Sequence, residues 1–147
     1  MDYKQKAQEY FGNGFNCAQS VLAPFAEELG ISEELALKVA SSFGGGARCG
    51  QLCGAVSGAL MVLGLKHGHY HTGDMEEKAK AGARAIEFNG RFCERNGSVV
   101  CKELLGNNPS VPEQHEILKE QGLFQTVCPK LVCDATEIVE EMIFKGE

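Results

Sequence analysis

The chain has no cluster of lysine and arginine. Its 14 basic residues are outnumbered by 20 acidic ones, which leaves a net charge of −6. A nucleic-acid surface needs the opposite balance, and so does docking on an anionic membrane. No apolar run reaches the roughly 18 residues that cross a bilayer. The most apolar stretch, Cys53 to Leu65, is shorter and rich in glycine. The opening Met1-Asp2-Tyr3-Lys4 has no basic region followed by an apolar core. No signal peptide is therefore expected, and the expected compartment is the cytoplasm. Strand-like alternation of apolar and polar residues is missing too. Without internal repeat, low-complexity tract or linker, residues 1–147 are expected to form a single domain.

What the chain does have is cysteine. Seven in 147 residues falls short of the roughly 8–10% that marks a disulfide scaffold. The number is odd, so pairing within one chain could not be complete. In a reducing compartment such thiols serve metal binding, redox chemistry or packing. Cysteine is also a common core residue, so filling of the core is the plain alternative for all seven.

The hydrophobic pattern is helical almost throughout. Tyr3, Ala7, Tyr10 and Phe11 form a stripe on a first helix over Asp2 to Phe11, broken by Gly12-Asn13-Gly14. Asn16 caps a second helix, Cys17 to Leu29, which Gly30 stops. Ser32 caps a third that runs to about Ser42. The glycine-rich segment Gly44-Gly45-Gly46-Ala47-Arg48-Cys49-Gly50 cannot continue it. A fourth helix is expected from about Leu52 to Lys66. Asp74 and Glu77 form a capping-box-like pair for a long fifth helix that ends near Asn96-Gly97. Ser98 caps a short helix through Leu105. The stretch from Gly106 to Val127 is the least regular, with room for one short helix started by Ser110 or Val111 before Pro112. The last helix begins at Cys128-Pro129, with proline near the first helical position. The expected fold is all-α: one compact bundle of about six or seven helices around a central glycine-rich loop.

This map sorts the cysteines. Cys17, Cys53, Cys101 and Cys128 fall at or within the first turn of an expected helix. Cys93 and Cys133 lie inside helices, and Cys49 lies in the glycine-rich loop. A helix start offers unpaired N–H groups and partial positive charge. Both are expected to lower a thiol pKa and favour the thiolate, the form that binds metal or attacks disulfides. Four thiolates suffice for an iron–sulfur cluster or for tetrahedral zinc. The paired C-x-x-C knuckles of a zinc ribbon and the tight run of a ferredoxin are both absent. With ligands spread over four helices, the fold must assemble first and close the site at its centre.

Small residues frame these cysteines. Gly54 and Gly58 share one helix face after Cys53. Such a face admits either a bulky cofactor or a tightly crossing helix. The glycines of the loop lack the Gly-Lys-Ser/Thr ending of a phosphate-binding loop. Gly50 and its neighbours are expected instead to fold tightly and turn backbone N–H groups toward sulfur. Gly50, Gly54 and Gly58 are accordingly the expected cofactor-contacting glycines.

The remaining candidates read as ordinary surface or core. His67, His69 and His71 alternate and could hold a metal, or form a solvated loop. His115 stands alone and is expected to be exposed. Tyr10, Phe11 and Phe15 suit core packing or shielding of a cofactor. The acid pairs Glu27-Glu28, Glu33-Glu34, Glu76-Glu77 and Glu140-Glu141 read as solvated helix faces. Arg48 either lowers the pKa of a nearby thiol or solvates its loop. No catalytic residue is assigned.

Four motifs carry a resemblance. Gly14-Phe15-Asn16-Cys17-Ala18-Gln19, Cys53-Gly54-Ala55-Val56-Ser57-Gly58, Val100-Cys101-Lys102-Glu103 and Cys128-Pro129-Lys130 together span nearly the whole chain. They resemble the four cysteine motifs of the C_GCAxxG_C_C family, whose label promises redox activity. The chain is similar also to the cluster-bearing part of split-Soret cytochromes, which implies a two-iron cluster. Cys49, Cys93 and Cys133 are additions to the family pattern, and Cys49 could substitute as a ligand.

The residues and the resemblance select the same four positions. The expected function is redox chemistry through an iron–sulfur cluster, two-iron favoured, held by Cys17, Cys53, Cys101 and Cys128. The protein would then act as electron carrier or redox sensor. Two alternatives stay open: a metal-free thiol oxidoreductase using a cysteine pair, and a zinc-stabilised interaction module. The expected partners are a redox protein that presents a basic patch to the acidic surface and a second copy of the chain. No nucleic acid and no membrane is expected.

Overall fold

The computed structural model describes residues 2–145. Its helices are α1 (Tyr3–Gly12), α2 (Cys17–Leu22), α3 (Glu33–Val39), α4 (Gly54–His67), α5 (Met75–Asn96), α6 (Cys101–Leu105), α7 (Pro112–Glu120), α8 (Leu123–Thr126) and α9 (Cys128–Glu140). The all-α expectation holds. Among the described residues no strand forms beyond one isolated antiparallel bridge, Leu52 to Val100. No helix there is long and apolar enough to cross a membrane.

The centre is α4. Gly54, Ala55, Val56, Ser57, Gly58, Ala59, Val62 and Leu63 are all buried, and a helix apolar on most sides belongs inside. It packs against α2, α5 and α9, while α1 lies across α9 and α2. Phe25, Phe88, Phe92, Ile138 and Val139 fill the space around it. Each such side chain contributes about 1.5–3 kcal/mol by leaving water. The α2–α4 crossing is close because of glycine. A Cβ on Gly58 would stand 2.6 Å from the Ala18 carbonyl oxygen, and one on Gly54 3.2 Å from the Ala18 nitrogen.

Three boundaries differ from expectation. The second helix stops at Leu22 and tightens into a 3-10 turn, Ala23–Phe25. Pro24 cannot donate to the helix and forces the change. Ser98 does not cap α6. Its hydroxyl instead accepts from the Val100 N–H at 2.9 Å and donates to Glu103 at 2.7 Å. The backbone on either side of Val100 pairs with residues 51–53, so the helix can begin only at Cys101. The segment from Gly106 to Val127 holds two helices rather than one. α7 starts at Pro112 after Val111, as expected, but α8 starts at the left-handed Gly122 without a side-chain cap.

Candidate functional site

Each of the four helix-start cysteines is set by local chemistry. Cys17 opens α2 behind a complete capping box. The Gln19 N–H donates to Asn16 Oδ1 at 2.8 Å, and the Asn16 N–H donates to Gln19 Oε1 at 2.9 Å. The same two side chains reach the end of α3. Asn16 Nδ2 donates to the Ser41 carbonyl and Gln19 Nε2 to that of Leu37. The start of α2 is thereby fixed in space as well as in register.

Cys53 and Cys101 are positioned together. The Cys53 N–H donates to the Val99 carbonyl at 2.8 Å and the Cys101 N–H to the Gln51 carbonyl at 2.6 Å. These bonds flank the Leu52–Val100 bridge. Cys53 is the N-cap of α4 and Cys101 the first residue of α6. Cys128 opens α9, with Pro129 behind it.

All four line one cavity of about 160 Å³. Cys53, Cys101 and Cys128 are buried and form its closed end with Leu131. Cys17 stands beside them, half-buried. The other cysteines are elsewhere. Five residues along α9 turn the helix by about 140°, which carries Cys133 off the cavity face. It lies near Lys4, Asp134 and Glu137, and burial raises its pKa. Cys93 is half-buried on α5. Cys49 is exposed, its thiol directed at the Gly46 carbonyl, 3.4 Å away. None of these three lines the cavity.

The protonation state departs from the sequence expectation. Helix starts are expected to favour thiolate at all four positions, yet only Cys128 is shifted below the ordinary thiol value. The Cys17 thiol donates to it, which holds Cys128 below the ordinary thiol value and pushes Cys17 well above it. Burial pushes Cys53 up to about 11, opposed by the N–H groups of Ala55 and Val56 at the start of α4. Burial, then the nearby Cys53 and Cys128, push Cys101 up to about 12. Desolvation of a charge thus outweighs the helix terminus. Thiols raised in this way bind metal only with loss of their protons.

The expected glycine contacts divide. Gly54 lines the cavity, and a Cβ there would lie 3.1 Å from the Cys17 Cβ. Gly58 faces Ala18 and Val21, so the helix crossing accounts for it. Gly50 is left-handed and faces the Asn108 side chain. Neither lines the cavity. Gly46 supports the site more directly: a Cβ there would stand 2.7 Å from the Cys101 Cβ and 2.5 Å from the Gln51 nitrogen. The loop coils in the left-handed sense from Gly45 through Arg48. Its Ala47 and Gln51 N–H groups donate to Phe43 and Gly46 carbonyls, so these two are engaged within the loop rather than turned to sulfur.

Other lining residues escaped the sequence. Leu105, Pro109, Ser110 and Phe124 close the cavity from the segment between Cys101 and Cys128. His115 is exposed, as expected, but it also lines the cavity and packs its ring on Phe124, centroids 5.0 Å apart. The available signal was topological: a segment whose two ends are both at the site must fold over it. His67 ends α4, and His69 and His71 follow in the loop. Among the described residues, no three His, Cys, Asp or Glu side chains converge as a ready single-ion site.

The family model described as "Putative redox-active protein (C_GCAxxG_C_C)" matches residues 15–142. No curated protein and no solved structure matches the chain.

Proposed function

The chain belongs to the C_GCAxxG_C_C family, and from that membership we propose that it carries electrons, or senses redox state, through an iron–sulfur cluster held by Cys17, Cys53, Cys101 and Cys128. One observation carries the reading: the four cysteines, far apart in sequence, line a single cavity and the other three do not. The donor set is all sulfur, which suits iron–sulfur ligation. The cavity is about 160 Å³, room for a group of several atoms, two-iron favoured. Glycine keeps it open, since side chains at Gly46 or Gly54 would crowd Cys101 or Cys17.

The chain's own part is to orient and to shield. Asn16 and Gln19 hold Cys17 in place. The Leu52–Val100 bridge holds Cys53 and Cys101 in register. Phe11, Leu105, Phe124 and Leu131 exclude water from the sulfurs, which tunes a potential through local dielectric. A bound cluster would supply one-electron chemistry. A net charge of −6 favours a basic redox partner, with association weakened by salt.

A second reading has its own support. Cys17 and Cys128 sit close enough to shift each other, Cys17 upward and Cys128 downward, and a dithiol couple needs two such neighbouring sulfurs. Without metal, these two would lose two protons and two electrons to a disulfide oxidant. Anaerobic purification separates the readings. The cluster reading expects a brown protein with equimolar iron and acid-labile sulfide, near two of each per chain. A colourless protein that oxidised glutathione converts to a Cys17–Cys128 disulfide would replace it with the dithiol reading.

A further inference from the structure

The four cysteines and Leu131 account for the closed end of the cavity. Its open end has different chemistry. Arg48, Ser110 and His115 line it, and all three are exposed. The wall beside them is carbon: Pro109, which meets Ser110 and Arg48 around Gly45, and Phe124, which carries the His115 ring. Among the described residues no Asp or Glu lines the cavity.

Arg48 is held there against its backbone preference. It sits at φ 62, ψ 20, and Ala47 before it at φ 58, ψ 36. Side chains rarely adopt this left-handed region because Cβ crowds the carbonyl. The loop uses glycine for the same conformation at Gly45, Gly46 and Gly50. Glycine would fold more easily at either position; at position 48 the strained backbone sets an arginine at the cavity. Among the described residues Arg48 enters no ion pair. The surrounding structure fixes the loop: Ser110 Oγ lies 3.5 Å from the Gly45 carbonyl, and Asn108 Nδ2 lies 3.4 Å from that of Cys49.

We propose that the open end of this cavity binds a small organic carboxylate, its charged head on the Arg48 guanidinium and its hydrocarbon part against Phe124 and Pro109. The planar guanidinium matches a carboxylate through two parallel hydrogen bonds. The carbon wall selects for a ligand with an apolar body. A bare inorganic oxyanion would shed water against that wall with a single cation to replace it. His115, stacked on Phe124, borders the ligand and reports on it. The site goes beyond the cluster reading and does not depend on iron at the four thiols.

The test uses the full chain as purified. Butyrate is titrated while the His115 imidazole resonances are followed, with sulfate as the comparison. Saturable shifts at His115 are expected with butyrate, and binding at least tenfold weaker with sulfate. Arg48→Gly should weaken butyrate binding at least tenfold while raising Tm, because the left-handed strain is relieved. Arg48→Gln keeps the strain and should lose binding without the rise in Tm. Ala47→Gly should raise Tm and leave butyrate affinity unchanged. Unchanged affinity in both Arg48 variants would overturn the site. A fall in Tm for Arg48→Gly would give Arg48 a structural role and overturn it as well. Sulfate binding as tightly as butyrate would overturn the ligand class.

Discussion

Cys53→Ala should abolish cofactor loading and lower stability by more than the roughly 1–2 kcal/mol that deleting one buried sulfur costs. The excess arises by linkage: a group that binds only the folded chain adds its binding free energy to folding. Cys53 is the strongest choice because it stands at the heart of the site. It caps the central helix, and its backbone is bonded to Val99 beside Cys101. Cys133→Ala is the matched control, on the same helix as Cys128 but off the cavity face. Its cost should stay within about 1 kcal/mol, with full loading. Iron content and thermal melts of the two variants check this. Equal cofactor loss in both would dismiss the division of the cysteines.

Gly58→Val should be the most damaging substitution outside the cysteines. Its Cβ would meet a backbone oxygen at 2.6 Å and the Ala18 Cα at 3.1 Å. Backbone cannot rotate aside as a side chain can, so α2 and α4 must separate. Overpacking of this kind costs about 3 kcal/mol or more, a fall in Tm of roughly 6–12 °C for a domain of this size. Because α2 carries Cys17 and α4 starts at Cys53, the cavity would widen as well. Gly64→Ala, on the same helix, should do the opposite. Nothing lies within 4 Å of a Cβ there, so the variant should gain about 0.5–1 kcal/mol of helix propensity. A melting series on both variants suffices. A Gly58→Val protein as stable as the parent would mean that α2 and α4 do not cross as closely as described.

The cysteine arrangement was legible because helix starts are written locally. Asn16 with Gln19, and Pro129 after Cys128, mark a boundary within three residues of the thiol. Gly54 and Gly58 were legible as one face, though not as to which neighbour would use it. That neighbour, Ala18, is forty residues away, and only packing identifies it. The segment from Gly106 to Val127 was not legible. Its helices are short, and Pro109, Pro112 and Gly122 interrupt any period. It also supplies Leu105's partners at the open end, so His115 and Phe124 were missed as site residues. The left-handed turn at Ala47 and Arg48 had no signal at all, because neither residue prefers that conformation. The Cys53 and Cys101 thiols ran opposite to the local argument for the same reason. A helix start is a local property, and burial is a tertiary one.

Cys17, Cys53, Cys101 and Cys128 should bind one common iron–sulfur group. Anomalous diffraction at the iron edge, from crystals of the chain purified and grown without oxygen, tests it most directly. A single anomalous feature in the cavity, bonded to those four sulfurs and to no others, is the predicted result. Iron bonded through Cys49, or a cavity whose four thiols share no metal in a fully loaded, brown preparation, would contradict it.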